Sequence, residues 1–265
     1  MAASPLPAAS ALGVVGAGIY AGSASVELLS PSGSNQLAAW RTSGGPKAVT
    51  KAYDAALRGY AFATAPGARM SCPVEEKHAL GIVQPFLLLQ MCLGQAQALT
   101  IELAVSDAGG TRRRLVLSSA FVEAKLTPLH VQVPLCPAAR DTWLSLVVPL
   151  AALVPLSFRG AEFSSLDGIA IAGAGRLRGI ALLRDPPADL LLGDTGPASL
   201  TAWLPRGLQH PPGVAVLPQL LDLSCLAGAS GSNSGGSAGS CGGPGGGAPA
   251  RNTPPRAGLS PRQSN

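Results

Sequence analysis

Few side chains in this sequence could ligate a metal or attack an electrophile: three histidines, His78, His130 and His210, and five cysteines, Cys72, Cys92, Cys136, Cys225 and Cys241. Zinc sites and nucleophilic sites need such groups at short spacings or beside a base. Here they are far apart, and His130 falls on the polar side of an alternating run. Each histidine is therefore read as a surface residue. The cysteines are odd in number and contain no C-x-x-C, which argues against a zinc site or a disulfide framework and suits a reducing compartment. No Asn-x-Ser/Thr acceptor occurs, and no spacing of acidic residues points to a carboxylate pair. The expectation is a non-enzymatic protein without catalytic residues, metal or cofactor.

Two spellings imitate functional motifs. Gly16-Ala17-Gly18, with Gly22 further on, resembles the opening of a dinucleotide fold. No strand–helix–strand rhythm follows, and no acidic residue between Glu27 and Asp54 could hold a ribose, so a flexible Gly/Ala leader is the better reading. Gly235-Gly236-Ser237-Ala238-Gly239 spells a nucleophile elbow inside low-complexity sequence, where no strand and helix could frame it.

Arg112-Arg113-Arg114 is the densest charge feature. By strand alternation Arg112 and Arg114 share a face with Val116, opposite Leu115 and Leu117. Two guanidiniums projecting together suit bidentate capture of carboxylates. A basic turn that merely blunts a sheet edge would look the same.

The elements that must position these groups are strands. Ile101, Leu103 and Val105 alternate with Thr100, Glu102, Ala104 and Ser106, and Leu129, Val131, Val133 and Leu135 alternate with His130, Gln132 and Pro134. Period two buries one face of a strand and wets the other. Less clear strand candidates are 26–30, 60–64, 86–93, 114–119, 143–148, 168–172 and 177–183. Asp107-Ala108-Gly109-Gly110 reads as a hairpin loop, because Asp accepts turn hydrogen bonds and Gly tolerates positive φ. Pro149 to Leu156 reads as a short helix opened by proline. Many short strands at roughly ten-residue spacing predict an all-β protein, an antiparallel β-sandwich or barrel.

Composition divides the chain. Residues 19–184 hold the apolar strands and carry 15 Lys/Arg against 10 Asp/Glu, so the formal excess of +5 belongs to this segment and favours acidic partners. Residues 1–18 are a small-residue leader; with no Lys or Arg before Arg41, a secretory signal is not expected. The longest apolar run, Leu144 to Leu156, is broken by Pro149 and Pro155 and is too short for roughly 30 Å of hydrocarbon, so no membrane span is expected. Residues 185–227 are ambiguous: Leu190–Leu192, Trp203 and Leu217–Leu223 either pack on the domain or form a binding motif. Residues 228–265, rich in Gly, Ser and Pro, read as a disordered tail.

Collinear motifs add a resemblance. Val26-Glu27-Leu28-Leu29-Ser30 precedes Ser32-Gly33 and Trp40, and Tyr53-Asp54 and Gly59-Tyr60 follow. Next come Leu80-Gly81-Ile82-Val83-Gln84-Pro85-Phe86-Leu87 and Ile101-Glu102-Leu103. Arg112-Arg113-Arg114-Leu115, Thr127-Pro128-Leu129-His130, Trp143, Phe163 to Ile169 and Leu177-Arg178 complete the series. Over about residues 19–184 the chain resembles the cilia- and flagella-associated protein 20 domain family, above all its "domain-containing" members. Pro85, where relatives usually have a basic residue, and the stretch between Pro66 and His78 depart from the pattern. The resemblance implies a jelly-roll-like sandwich, similar in shape to carbohydrate-binding modules, in a structural protein of the axoneme or centriole. Its expected partner is then tubulin or another axonemal protein, met through Arg112, Arg113 and Arg114, at a cytoskeletal location in the cilium, flagellum or centriole. Trp40, Trp143, Leu166 and Ile169 are expected in the structural core, since large aromatics dominate sandwich cores. Two rivals are a glycan-binding module, for which the domain has few Trp or Tyr, and nuclear or RNA association, for which the arginine run lacks interleaved aromatics.

Overall fold

The computed structural model describes residues 22–32, 35–185, 204 and 206–229. The leader, the Gly16–Gly22 spelling up to residue 21, Leu190–Leu192, Trp203 and the tail from residue 230 lie outside the described residues. Fourteen strands form two seven-stranded sheets. The first contains β1 (Ser25–Leu29), β3 (Val49–Asp54), β4 (Gly59–Thr64), β6 (Phe86–Cys92), β11 (Trp143–Pro149), β13 (Gly175–Leu183) and β14 (Val216–Leu220). Its order is β14-β11-β6-β13-β4-β3, with β1 also paired to β13. The second runs β2 (Arg41–Ser43), β5 (Arg69–Cys72), β12 (Phe163–Gly173), β7 (Leu99–Asp107), β8 (Arg112–Ser118), β10 (His130–Pro134) and β9 (Lys125–Leu126). The fold is an all-β sandwich, with helix α1 at Leu150–Ser157 as the proline signal predicts.

The alternating runs decide which faces meet. In β7, Leu99, Ile101, Leu103 and Val105 are fully buried and the residues between them are half-exposed. Leu115 and Leu117 of β8, Val131 and Val133 of β10, and Ile169 and Ile171 of β12 join them in one core with Leu87, Leu89 and Met91 of β6 and Leu144, Leu146 and Val148 of β11. Leu166 and Ile169 lie in it, as does Trp40, whose Nε1 donates to the Leu28 carbonyl at 2.8 Å. Both the indole face and its one donor are thereby satisfied. Gly173 ends β12 at φ +105°, where the chain passes from the second sheet to β13 of the first. A Cβ there would lie 2.2 Å from the Ala98 carbonyl oxygen, so only glycine fits this corner.

Two pairings differ from the antiparallel expectation. β8 pairs with β10, and β11 with β14, in parallel. Alternation reports which face a strand buries and is blind to direction, so the sequence pattern could not separate the two. β14 also answers the question left open for residues 185–227 over the part that is described. Leu204 and Leu208 pack with Leu88, Val147, Ala181 and Leu183 on the outer face of the first sheet. Val214 and Val216 pack there with Leu57, Cys92 and Trp143. Trp143 is thus buried outside the inter-sheet core, beneath this strap. Helix α2 (Ser224–Ala229) follows, with Leu226 reaching the main core. Cys72, Cys92 and Cys225 are free, but Cys136 is disulfide-bonded, so the spacing argument against cross-links does not hold for every cysteine. Among the described residues no helix is long and apolar enough to cross a membrane.

The strap is part of the stability of the sandwich. Each fully buried leucine is worth about 1.5–3 kcal/mol, and Leu208 alone is 0% exposed. A chain ended after residue 185 should melt well below the full chain and bind the hydrophobic dye ANS through the uncovered Leu88, Val147 and Trp143. An unchanged melting curve would show that the strap contributes nothing.

Candidate functional site

The outer face of the second sheet carries the site. Because β7 turns Ile101, Leu103 and Val105 inward, it must turn Glu102 and Ala104 outward; β8 likewise presents Arg112 and Arg114, and β5 presents Arg69 and Ser71. Register brings them together. Ala170 lies between Ser71 and Glu102, and Ala104 lies between Gly168 and Arg114. Ser71, Ala104, Gly168 and Ala170 are small, so the middle of the face is low and the longer side chains wall a groove of about 450 Å³.

Glu102 is the centre of this groove. Arg69 grips it with two bonds, Nη1 donating to Oε1 at 2.7 Å and Nη2 to Oε2 at 3.1 Å. Arg114 donates from Nη2 to the same Oε2. The Arg69 bonds first, and then Arg114 against the opposing effect of burial, pull the Glu102 carboxyl from its ordinary 4.5 down to about 2. Arg112 stands exposed on the same face, with no hydrogen bond or ion pair among the described residues. Arg41 and Glu76 form an open 3.3 Å pair near the other end. Such an exposed pair contributes little.

The three adjacent arginines have different fates. Arg113 points to the core side, as its position beside Leu115 requires. Its Nη2 lies 2.7 Å from Asp107 Oδ2, its Nη1 donates to the Pro128 carbonyl at 2.6 Å, and its guanidinium carbon stacks 4.9 Å from the Phe158 ring centre. It closes the end of the core and fixes the β7–β8 loop, where the Thr111 amide donates to Asp107 Oδ1 at 2.7 Å. The Thr111 amide first, then Arg113, hold the Asp107 carboxyl below the usual range. Arg113 is therefore committed inside the molecule and unavailable to a partner without breaking that loop. Arg112 and Arg114 remain at the surface. Arg69, Glu102 and the small floor residues were not singled out in the sequence; period two placed Glu102 outward, but nothing local paired it with Arg69, 33 residues away.

A second ion pair lies elsewhere. Arg176 bonds Asp54 and Cys92 Sγ, and lies 5.8 Å from the Trp143 ring centre. Burial alone would raise the Asp54 carboxyl; the Leu57 amide and Arg176 outweigh it and leave it lowered. This pair sits beside Leu57, Cys92 and Trp143, the residues on which Val214 and Val216 of the strap pack. Among the described residues no group of three or more His, Cys, Asp or Glu could hold a metal ion.

Among the described residues two seven-stranded sheets pack face to face, one strapped and one left uncovered, and define a β-sandwich with one exposed charged face. The CFA20 domain model matches residues 21–184, and the chain belongs to that family. Membership ties it to the cilia- and flagella-associated proteins for which the domain is named. The match ends before the strap begins. Solved structures give distant likenesses. PfGH50B is 10% identical over 56% of this chain and 22% of its own, with a TM-score of 0.29. TmCBM61 in complex with beta-1,4-galactotriose is 16% identical over 54% of this chain and 81% of its own, with a TM-score of 0.25. An exo-beta-agarase is 9% identical over 62% and 23%, with a TM-score of 0.26. The chain thus spans under a quarter of PfGH50B, and at these scores none of the three bears on function.

The depressed Glu102 carboxyl has a pH consequence. A group whose folded pKa lies below its unfolded value stabilises the fold above the unfolded value and loses that contribution as the pH falls through the folded one. Urea midpoints should therefore fall between about pH 4.5 and about pH 2, and Glu102→Gln should flatten that part of the profile. An identical profile in the variant would count against the triad.

Proposed function

We propose that this chain is a non-enzymatic structural or adaptor module of the cilium, docking through the open face of its second sheet onto an acidic protein surface of the tubulin kind. One observation supports this reading above the others. Among the described residues four arginines, Arg41, Arg69, Arg112 and Arg114, rise from that face on its strands against the carboxylates of Glu76, Glu102 and Asp167, the last accepting from Ser106 Oγ across from Arg112. A complementary acidic partner would be steered to it and oriented by it, which raises association rate and specificity more than raw affinity. The groove's described lining contains no Trp, Tyr or Phe on which a sugar ring could stack, which favours a carboxylate-bearing partner over a glycan. Membership of the CFA20 domain family supports the ciliary setting; axoneme and centriole are both compatible with it.

Microtubule co-sedimentation tests the reading. Arg112→Glu should cut pelleting severalfold with the melting temperature unchanged, because Arg112 is exposed and has no hydrogen bond or ion pair to lose among the described residues. Arg113→Gln should instead lower the melting temperature by releasing Asp107 and Pro128. Undiminished pelleting of Arg112→Glu would reject the assignment of this face.

A further inference from the structure

The two guanidiniums at the middle of the open face are already gripping a carboxylate, and it is the protein's own. An Arg–carboxylate fork is the geometry an incoming Asp or Glu would use. The two grips are unequal. Arg69 holds Glu102 by two bonds, whereas Arg114 contributes one Nη2 donor to an oxygen it shares with Arg69. Accessibility is unequal as well. The Arg114 side chain is 55% exposed and the Glu102 side chain 17%, so a partner reaches the guanidinium before it reaches the carboxylate. Beside Arg114, two residues along the same strand face, stands Arg112, with no hydrogen bond or ion pair of its side chain among the described residues. Alternate residues of a strand are spaced by about 6.8 Å, and so are alternate residues of an extended ligand.

Resting on the docking reading above, we infer that the groove receives an extended acidic segment with carboxylates at alternate positions, one on Arg112 and one on Arg114, and that Glu102 is a built-in competitor which the second carboxylate displaces from Arg114 while Arg69 retains it. The low floor of Ser71, Ala104, Gly168 and Ala170 leaves the room such a segment needs. Competition from Glu102 persists at every physiological pH, since its carboxyl stays ionised down to about 2. The competitor holds the empty groove in a paired, preformed state and rejects single stray anions, which gain too little at Arg112 alone. Two carboxylates at strand spacing gain enough.

The test uses fluorescein-labelled synthetic peptides in anisotropy titrations, one with glutamate and serine alternating and one of the same composition with the glutamates contiguous. The full-length wild-type chain should prefer the alternating peptide. Glu102→Gln should bind it about two- to fivefold more tightly, the size of one partly exposed ion pair. Adding Arg114→Gln should remove that gain. If Glu102→Gln melts early, arginine side-chain NMR signals of the wild-type chain give the same answer, those of Arg112 and Arg114 shifting on titration while Arg69 holds. Unchanged or weaker binding by a folded Glu102→Gln, no preference between peptides, or tighter binding of a labelled single-stranded oligonucleotide would each overturn the inference. Microtubule pelleting by a chain that binds neither peptide would sink this inference and spare the docking reading; loss of both would sink the two together.

Discussion

Burial of Leu99, Ile101, Leu103 and Val105 against the facing sheet is the constraint from which the rest of the second sheet follows. A one-residue slip of β7 against β12 or β8 would place Glu102 in the core and three leucine or isoleucine side chains in water. The cost would be several buried aliphatic side chains and an uncompensated charge. Register is therefore pinned by the hydrophobic face, and the polar face inherits its order from it. Ala104 beside Arg114, Ala170 beside Ser71 and Glu102, and the reach of Arg69 across Ala170 are consequences of packing on the other side of the same strands.

The two sheets spend their outer faces differently. The first is covered by the strap, and the covering is more than apolar. Gln90, with no exposed surface, donates from Nε2 to the Leu208 carbonyl at 2.6 Å and accepts from Arg178 Nη1 at 2.7 Å, while Arg178 Nη2 donates to the Gln209 carbonyl at 2.6 Å. A buried polar chain of this kind costs desolvation and is tolerable only when its members are paired. Its return is specificity: the strap carbonyls must meet these donors, so it seats in one place. Burial first, and then the neighbouring Arg178, push His210 of the strap down to about 3, so its imidazole is neutral there. With one outer face closed in this way, the second sheet offers the broad face that no other described element covers.

Much of this was legible in the sequence where one face is wet. β7 and β10 announced themselves by alternation, the β7–β8 loop by Asp107 and Gly110, and α1 by Pro149. β3 and β5 did not. Thr50, Lys51, Ala52 and Tyr53 of β3 are all exposed, so no face is apolar enough to give a period, and β5 has only four residues. β14 was obscured because Pro218 interrupts it and because its partner lies far back in the chain. The site was half legible. Parity told Arg112 and Arg114 from Arg113, since the residue next to Leu115 on the inward side must face the core edge. What parity cannot supply is the neighbour across the sheet, and so Glu102 and Arg69 stayed invisible until the register joined β5, β12, β7 and β8.

The same register explains why a charge triad serves this face better than loose arginines. A free arginine loses rotamer entropy on binding, on the order of 1 kcal/mol for such a side chain. Arg69 and Arg114 have lost part of theirs already, held over the low floor by Glu102. The carboxylate that orients them also occupies them, so preorganisation and competition come from one group and cannot be separated by moving it. On the proposed reading a ligand must then offer at least as much as Glu102 withdraws, which a second contact at Arg112 would supply. On the same reading, selectivity for spaced over single anions would rest on four side chains, Arg69, Glu102, Arg112 and Arg114, from β5, β7 and β8, fixed by the apolar residues behind them.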